Sequence, residues 1–174
     1  MTRIDEQEFA RFYDQQVWRV YGFFGYRVNS GADAEDLTQL TFERALRSWR
    51  RFDPRRASAQ TWVMAIARNL LIDHYRAARL RSHRSLDDDA TGAALEPVAE
   101  EKPETGLSAE LWEALSRLHG REREVIALRF GGELNGPEIA ELTGLSVGNV
   151  QQIMSRSLRR LRAELEPARY QAVS

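Results

Sequence analysis

No cysteine occurs in the 174 residues, so the chain can build no disulfide framework, thiolate metal site or cysteine nucleophile. Lysine is almost absent too. Lys102 is the sole lysine among 25 basic residues, and the others are Arg, the better side chain for forked phosphate contacts and stacking. Nowhere do about 18 apolar residues run together, as a membrane span requires. The opening MTRIDEQEF is acidic and polar and lacks the basic and apolar regions of a signal peptide. His74, His83 and His119 stand at no metal-ligand spacing, and there is no Gly-rich phosphate loop. These absences disfavour an enzyme, and no cofactor or metal is expected. They point to a cytoplasmic protein with no membrane insertion.

What is present is unevenly spread. The net charge of −1 argues against nucleic acid only until it is divided along the chain. Residues 1–85 hold 15 Arg against 10 acidic residues. Residues 86–105, LDDDATGAALEPVAEEKPET, hold one Lys against seven acidic residues. Residues 106–174 balance at nine and nine. The middle segment has two Pro, three consecutive Asp and no apolar period, which reads as a flexible acidic linker. With 43% apolar residues there is material for a core on each side of it.

Almost every periodic stretch is helical. Phe9, Phe12, Tyr13, Val17, Val20, Tyr21 and Phe24 recur at three- and four-residue spacing. The break at Val28–Gly31 precedes a second helix from near Asp33 to Trp49, with Leu37, Leu40, Thr41, Ala45 and Trp49 as its apolar stripe. Phe52-Asp53-Pro54 ends that helix, because the residue before proline avoids helical angles. A third helix is expected from about Ala59 to Leu80, carrying Trp62, Val63, Ile66, Leu70 and Tyr75. The fold class is therefore all-α, with two small helical domains (residues 1–85 and 106–166), the linker at 86–105 and a tail at 167–174.

The second domain contains GPEIAELTGLSVGNVQQIMSRSLRRL. Pro137 suits a first helical turn. Ile139, Ala140 and Leu142 give a buried face, Gly144 permits a tight turn, and Ser146 caps the next helix. Val147, Val150, Met154, Leu158 and Leu161 are expected to face the core. This is a helix-turn-helix pattern, whose second helix enters the major groove. Its outward positions are Gly148, Asn149, Gln151, Gln152, Ser155, Arg156 and Arg159. Asn and Gln grip adenine, and Arg grips guanine or phosphate.

In the first domain Asp33 reads as an N-cap, with Glu35 and Asp36 in the first turn, where acids complement the helix dipole. Six Arg follow between Arg44 and Arg56, then Ser58, Gln60 and Trp62, then Arg68, Asn69, Asp73, His74, Tyr75, Arg76 and Arg79. Arg interleaved with aromatics suits a strand whose bases are unstacked. Trp49 reads as core, while Trp62 fits either a core or a stacking position.

The run DAEDLTQ…F…W…FDP…W…ARN…DHYR, followed by an acidic linker and the helix-turn-helix, resembles a bacterial sigma factor of the extracytoplasmic-function group. The resemblance covers about residues 5–166. It implies a transcription initiation factor that is a monomer when free and nucleoid-associated in the holoenzyme. Its partners would be core RNA polymerase (the β′ coiled-coil and the β flap), promoter DNA and an anti-sigma factor. The resemblance assigns Asp33, Glu35, Asp36, Leu37, Gln39 and Phe42 to the β′ coiled-coil. It assigns Arg55, Arg56, Ser58, Gln60 and Trp62 to a loop that captures a flipped base of the −10 element. Arg68, Asn69, Asp73, Tyr75, Arg76 and Arg79 would lie beside the melted strand. Ser146, Gly148, Asn149, Gln151, Gln152, Ser155, Arg156, Arg159 and Arg160 would read the −35 duplex. The linker would thread toward the RNA exit path, with Asp87, Asp88 and Asp89 imitating a single strand.

The chain departs from the family pattern in two places. Many relatives carry Thr-Val-Lys-Ser-Arg where Asn149-Val150-Gln151-Gln152-Ile153 stands here, which removes two positive charges and predicts weaker, less salt-sensitive −35 binding. The loop Pro54–Ser58 is more basic than usual, which leaves its base preference open. The other readings are a helix-turn-helix regulator that binds duplex DNA without polymerase and whose N-terminal helices dimerise or sense a ligand, an enzyme, or a sigma-inhibiting interaction protein. The first leaves the acid–Arg–aromatic order of residues 33–76 unexplained, and the last leaves the DNA-reading helix unexplained.

Overall fold

The computed structural model describes residues 3–88 and 106–171. These form seven α-helices: α1 (Arg3–Gly25), α2 (Gly31–Ser48), α3 (Ala59–Asp88), α4 (Ala109–Ser116), α5 (Gly120–Ile126), α6 (Gly136–Thr143) and α7 (Val147–Gln171). A 3-10 turn, Trp49–Arg51, extends α2, and a π-helical turn, Ala127–Gly131, extends α5. The acidic segment 89–105, with Asp89, lies outside the described residues. Among the described residues no helix is long and apolar enough to cross a membrane. The all-α expectation holds.

Helices α1, α2 and α3 pack around Phe12, Val20, Phe24, Leu37, Phe42, Val63 and Leu70, all buried. The start of α2 differs from expectation. Ser30, in extended backbone, is the N-cap, and its Oγ accepts the Asp33 N–H at 3.3 Å. Asp33 thus lies inside the first turn, where its charge faces the helix dipole. Leu40, expected in the stripe of α2, is 43% exposed. At 100° per residue it points about 130° away from the centre of the buried row Ala34, Leu37, Thr38, Thr41, Phe42 and Ala45. The buried hydroxyls of Thr38 and Thr41 fold back onto Ala34 O and Leu37 O, each at 2.7 Å, so neither is stranded. Helix α3 runs past the expected stop at Leu80 as far as Asp88.

The second group packs α4, α5 and α7 around Leu115, Leu118, Ile126 and Leu161. The turn between α6 and α7 follows expectation. Asn135 and Glu138 form a reciprocal cap on α6, Gly144 ends it at φ 72°, and Ser146 Oγ accepts the Asn149 N–H at 3.2 Å to open α7. The buried row of α7 needs correction. Val147 and Leu158 are exposed, at 39% and 41%, while Ser157 is fully buried with its hydroxyl on Ile153 O at 2.8 Å. The row runs Val150, Met154, Ser157, Leu161, and Val147 and Leu158 sit about 50–70° from its centre.

The two groups do not stand apart. One continuous core holds Phe12, Val20, Phe23 and Met64 together with Val125, Leu128, Leu134, Ile139 and Val150. At its centre Gly22 on α1 meets Gly131 in the π-helical turn so closely that a Cβ on Gly131 would lie 2.6 Å from the Gly22 backbone. This second covering explains why both Phe23 and Phe24 are fully buried, although only Phe24 falls in the stripe read from the sequence.

Candidate nucleic-acid interface

Glu35, Asp36 and Gln39 form an exposed acidic and polar row on α2, with Leu40 beside them. Leu37 and Phe42 are 5% exposed and belong to the core beneath this row. Phe42 packs its edge on Phe12 and Tyr13, at 5.9 and 4.6 Å between ring centroids. A groove of about 1000 Å³ lies between α1 and α2, floored by Val17, Thr38 and Phe42 and rimmed by Tyr13, Trp18 and Leu46. Trp18 is 76% exposed and touches Tyr21 edge-on. Sequence reasoning missed it, although its place off the apolar stripe of α1 was the available signal.

The loop before α3 is tightly wound. Asp53 Oδ1 accepts the Arg55 N–H at 2.9 Å, and Asp53 O accepts the Arg56 N–H at 3.0 Å. This is the turn that Asp-Pro favours, and it leaves Arg55 and Arg56 exposed at its tip. Ser58 caps α3 by accepting the Thr61 N–H at 3.1 Å. Trp62, half-buried, joins a cluster with Phe12, Trp49 and Phe52 at 4.9–6.0 Å. Its ring is therefore packed against the core, and only part of its surface is left for a ligand. Trp49 is core, as expected.

Along α3 the expected strand-binding residues separate. Asn69, Arg76 and Arg79 are exposed. Asp73 lies 3.8 Å from Arg44 and 4.0 Å from Arg76, an exposed arrangement that contributes little stability. Arg68 instead donates to Glu124 Oε1 on α5 at 2.7 Å, in a pair only 23% and 13% exposed. Gln60 donates to Gly132 O at 2.7 Å. The Tyr75 hydroxyl donates to Arg27 O, and the Arg27 guanidinium lies 5.7 Å above the same ring.

On α7, Gly148, Gln151, Gln152, Ser155, Arg156 and Arg159 line one exposed concave face. Asn149 is exposed beside them, at the capped end of the helix. Arg160 turns away and donates to Glu122 Oε2 at 2.7 Å and to Arg117 O at 3.2 Å. Ile153, where relatives were expected to carry Arg, is half-buried against the core and does not join the outward row. A helix presenting amides at its start and guanidiniums further along, with no acid on that face, can read base edges and hold phosphate. Among the described residues no group of three or more His, Asp or Glu could hold a metal ion.

Comparison with known proteins fits this division. The model of Sigma-70 region 2 matches residues 12–81, and that of Sigma-70 region 4 matches residues 114–163. The ECF RNA polymerase sigma factor BldN of Streptomyces coelicolor is 35% identical over 154 residues, which are 88% of this chain and 58% of that relative. The ECF RNA polymerase sigma factor RpoE of Cereibacter sphaeroides is 30% identical over 165 residues, covering 92% of this chain and 88% of that relative. Among solved structures, the sigma factor RpoE of Bartonella quintana, in complex with the anti-sigma factor NepR, shares the fold. Its TM-score is 0.66 at 21% identity, over 95% of this chain and 98% of that one.

Proposed function

The chain belongs to the extracytoplasmic-function group of RNA polymerase sigma factors, and we propose that it divides promoter recognition among three of its surfaces. It is an alternative sigma factor of transcription initiation. Asp33, Glu35, Asp36 and Gln39 dock on the β′ coiled-coil, while Leu37 and Phe42 hold that helix from beneath. Arg55 and Arg56, with Ser58, Gln60 and the exposed part of Trp62, receive a −10 base. Unstacking that base costs a few kcal/mol, which the loop offsets only if it holds the flipped form. Arg68, Asn69, Asp73, Tyr75, Arg76 and Arg79 line the path of the melted strand. The outward face of α7 reads the −35 duplex, and the region around it meets the β flap. The protein makes no covalent change in the DNA. It supplies binding free energy to the melting step.

The observation that carries this reading is the acid-free exposed row of amides and guanidiniums on α7, in one chain with the basic Asp53–Ser58 loop. An anti-sigma partner is proposed too, supported by the complex of the Bartonella neighbour. Run-off transcription on fragmented genomic DNA, with core polymerase alone and with this protein added, tests the function. Discrete new start sites are the expected result. Unchanged transcripts, together with tight specific duplex binding by the free protein, would favour a polymerase-independent regulator.

A further inference from the structure

The outermost line of α7 begins with a residue that has no side chain. Val150, Ser157 and Leu161 are buried, and Ser157 Oγ donates to Ile153 O, which fixes the rotation of the helix. At 100° per residue, Gly148, Ser155 and Arg159 fall within about 20° of one line on the opposite side. A Cβ on Gly148 would meet nothing within 4 Å, so no packing among the described residues requires glycine there. Glycine is also a poor helix former. A bare backbone on an outward first turn suits close approach by something outside the chain.

Two amides flank that glycine. Gln151 lies about 60° to one side of the line and Gln152 about 40° to the other, and both are exposed on the concave face. Their side chains diverge by about 100°, while their backbones advance only about 1.5 Å along the axis. They form a fan across a groove rather than a row along it. Asn149 points about 100° from the line, toward one wall. Arg159 stands about 16 Å further along the axis than Gly148. A helix that leads with its N-terminal residues holds such a position away from the base edges.

We propose that Gly148 lets the first turn of α7 rest on the floor of the major groove, so that Gln151 and Gln152 each grip an adenine, on opposite strands of two adjacent base pairs. Each amide oxygen accepts from N6 of its adenine, and each amide nitrogen donates to N7. The duplex that fits carries an A·T pair next to a T·A pair, a 5′-AT-3′ or 5′-TA-3′ step. Arg156 and Arg159 hold phosphate, which positions the helix and carries no base preference. The proposal rests on the assignment of α7 to the −35 duplex and names the step that it selects.

A promoter library randomised across the −35 element tests it. Holoenzyme made from core polymerase and the full chain selects from the library, the free chain selects in parallel, and both pools are sequenced. An AT or TA step should be enriched in the holoenzyme pool. Gln151→Ala should reduce the preference at one base pair of that step and Gln152→Ala at its neighbour, each by about 5- to 150-fold. Gly148→Val places its Cβ in open space, so the free chain should keep its helical content and melting temperature. The preference at both base pairs should nevertheless fall together. The proposal is overturned if G·C pairs are enriched at these positions, if the two glutamine variants relax the same base pair or none, or if Gly148→Val retains full selectivity. Enrichment of the step by the free chain, unchanged by polymerase, would sink the sigma-factor reading and leave the base assignment standing. Polymerase-dependent enrichment of a step that neither glutamine variant alters would do the reverse.

Discussion

Gly144 lies at φ 72°, and a Cβ built there would touch nothing within 4 Å. Replacing it therefore isolates backbone strain from packing. Gly144→Ala should cost about 1–2 kcal/mol, read as a lower urea midpoint with an unchanged slope, and Gly144→Asn should cost less. A loss near zero would mean that the turn reforms differently. This glycine was legible from sequence because a tight turn between two capped helices demands it. Glu133 was not. It lies in the turn that follows the π-helical segment, closed by the Leu134 N–H on Leu128 O, and its carboxylate meets Arg19, 114 positions away; neither feature can be read from its neighbours in sequence. Trp18 falls between the two. Its place off the stripe was visible, but the groove beside it depends on how α1 meets α2. Because Trp18 is 76% exposed, Trp18→Ala should change stability by no more than about 0.5 kcal/mol. If the groove joins the polymerase face, the same change should weaken core polymerase binding by about 2 kcal/mol. Biolayer interferometry against immobilised core enzyme measures the second effect, and equal affinity would exclude the groove from that face.

At the scale of elements, α6, the turn and the start of α7 are the most readable part of the chain, because Asn135, Glu138 and Gly144 fix both ends of α6 and Ser146 fixes the first turn of α7 locally. The rotation of α7 was less readable. Val147 and Leu158 are as apolar as Val150 and Leu161, and only the position of the neighbouring helices decides which row is buried. That rotation also changes how the departure from the family pattern should be understood. Gln151 and Gln152 face outward, whereas Ile153 packs inward in this arrangement. The charge lost at 151 therefore falls on the outward face of α7. Two substitutions on this face distinguish a phosphate contact from a base contact. Arg159→Ala should weaken binding of the holoenzyme to every promoter alike and reduce the salt slope by about one unit. Gln152→Ala should leave the slope unchanged and alter preference at one −35 position by about 1–3 kcal/mol. A panel of single-base promoter variants assayed at several salt concentrations would show both. If the two substitutions behave alike, Gln152 is not reading a base.

At the scale of the whole molecule, the chain looked like two helical units joined by an acidic linker, and the family matches at 12–81 and 114–163 follow the same division. Their packing against each other was not legible. It depends on Gly22, Gly131 and a run of Arg contacts to backbone carbonyls, features that each look ordinary in their own segment. The consequence is thermodynamic. Buried residues from both units, such as Val20 and Leu128, share one core, so neither unit can unfold without exposing apolar surface on the other. At about 25 cal/mol per Å² of apolar surface, that coupling should be enough to merge two small transitions into one. The free chain is therefore expected to unfold in a single calorimetric step, with equal calorimetric and van't Hoff enthalpies. Gly131→Ala removes the close backbone fit and leaves each unit's own helices intact. It should split the profile into two steps, the lower belonging to the unit whose separate core is the smaller group around Leu115, Leu118 and Leu161. A split profile for the unaltered protein would show that the shared core is too weak to couple the two halves, whatever their proximity.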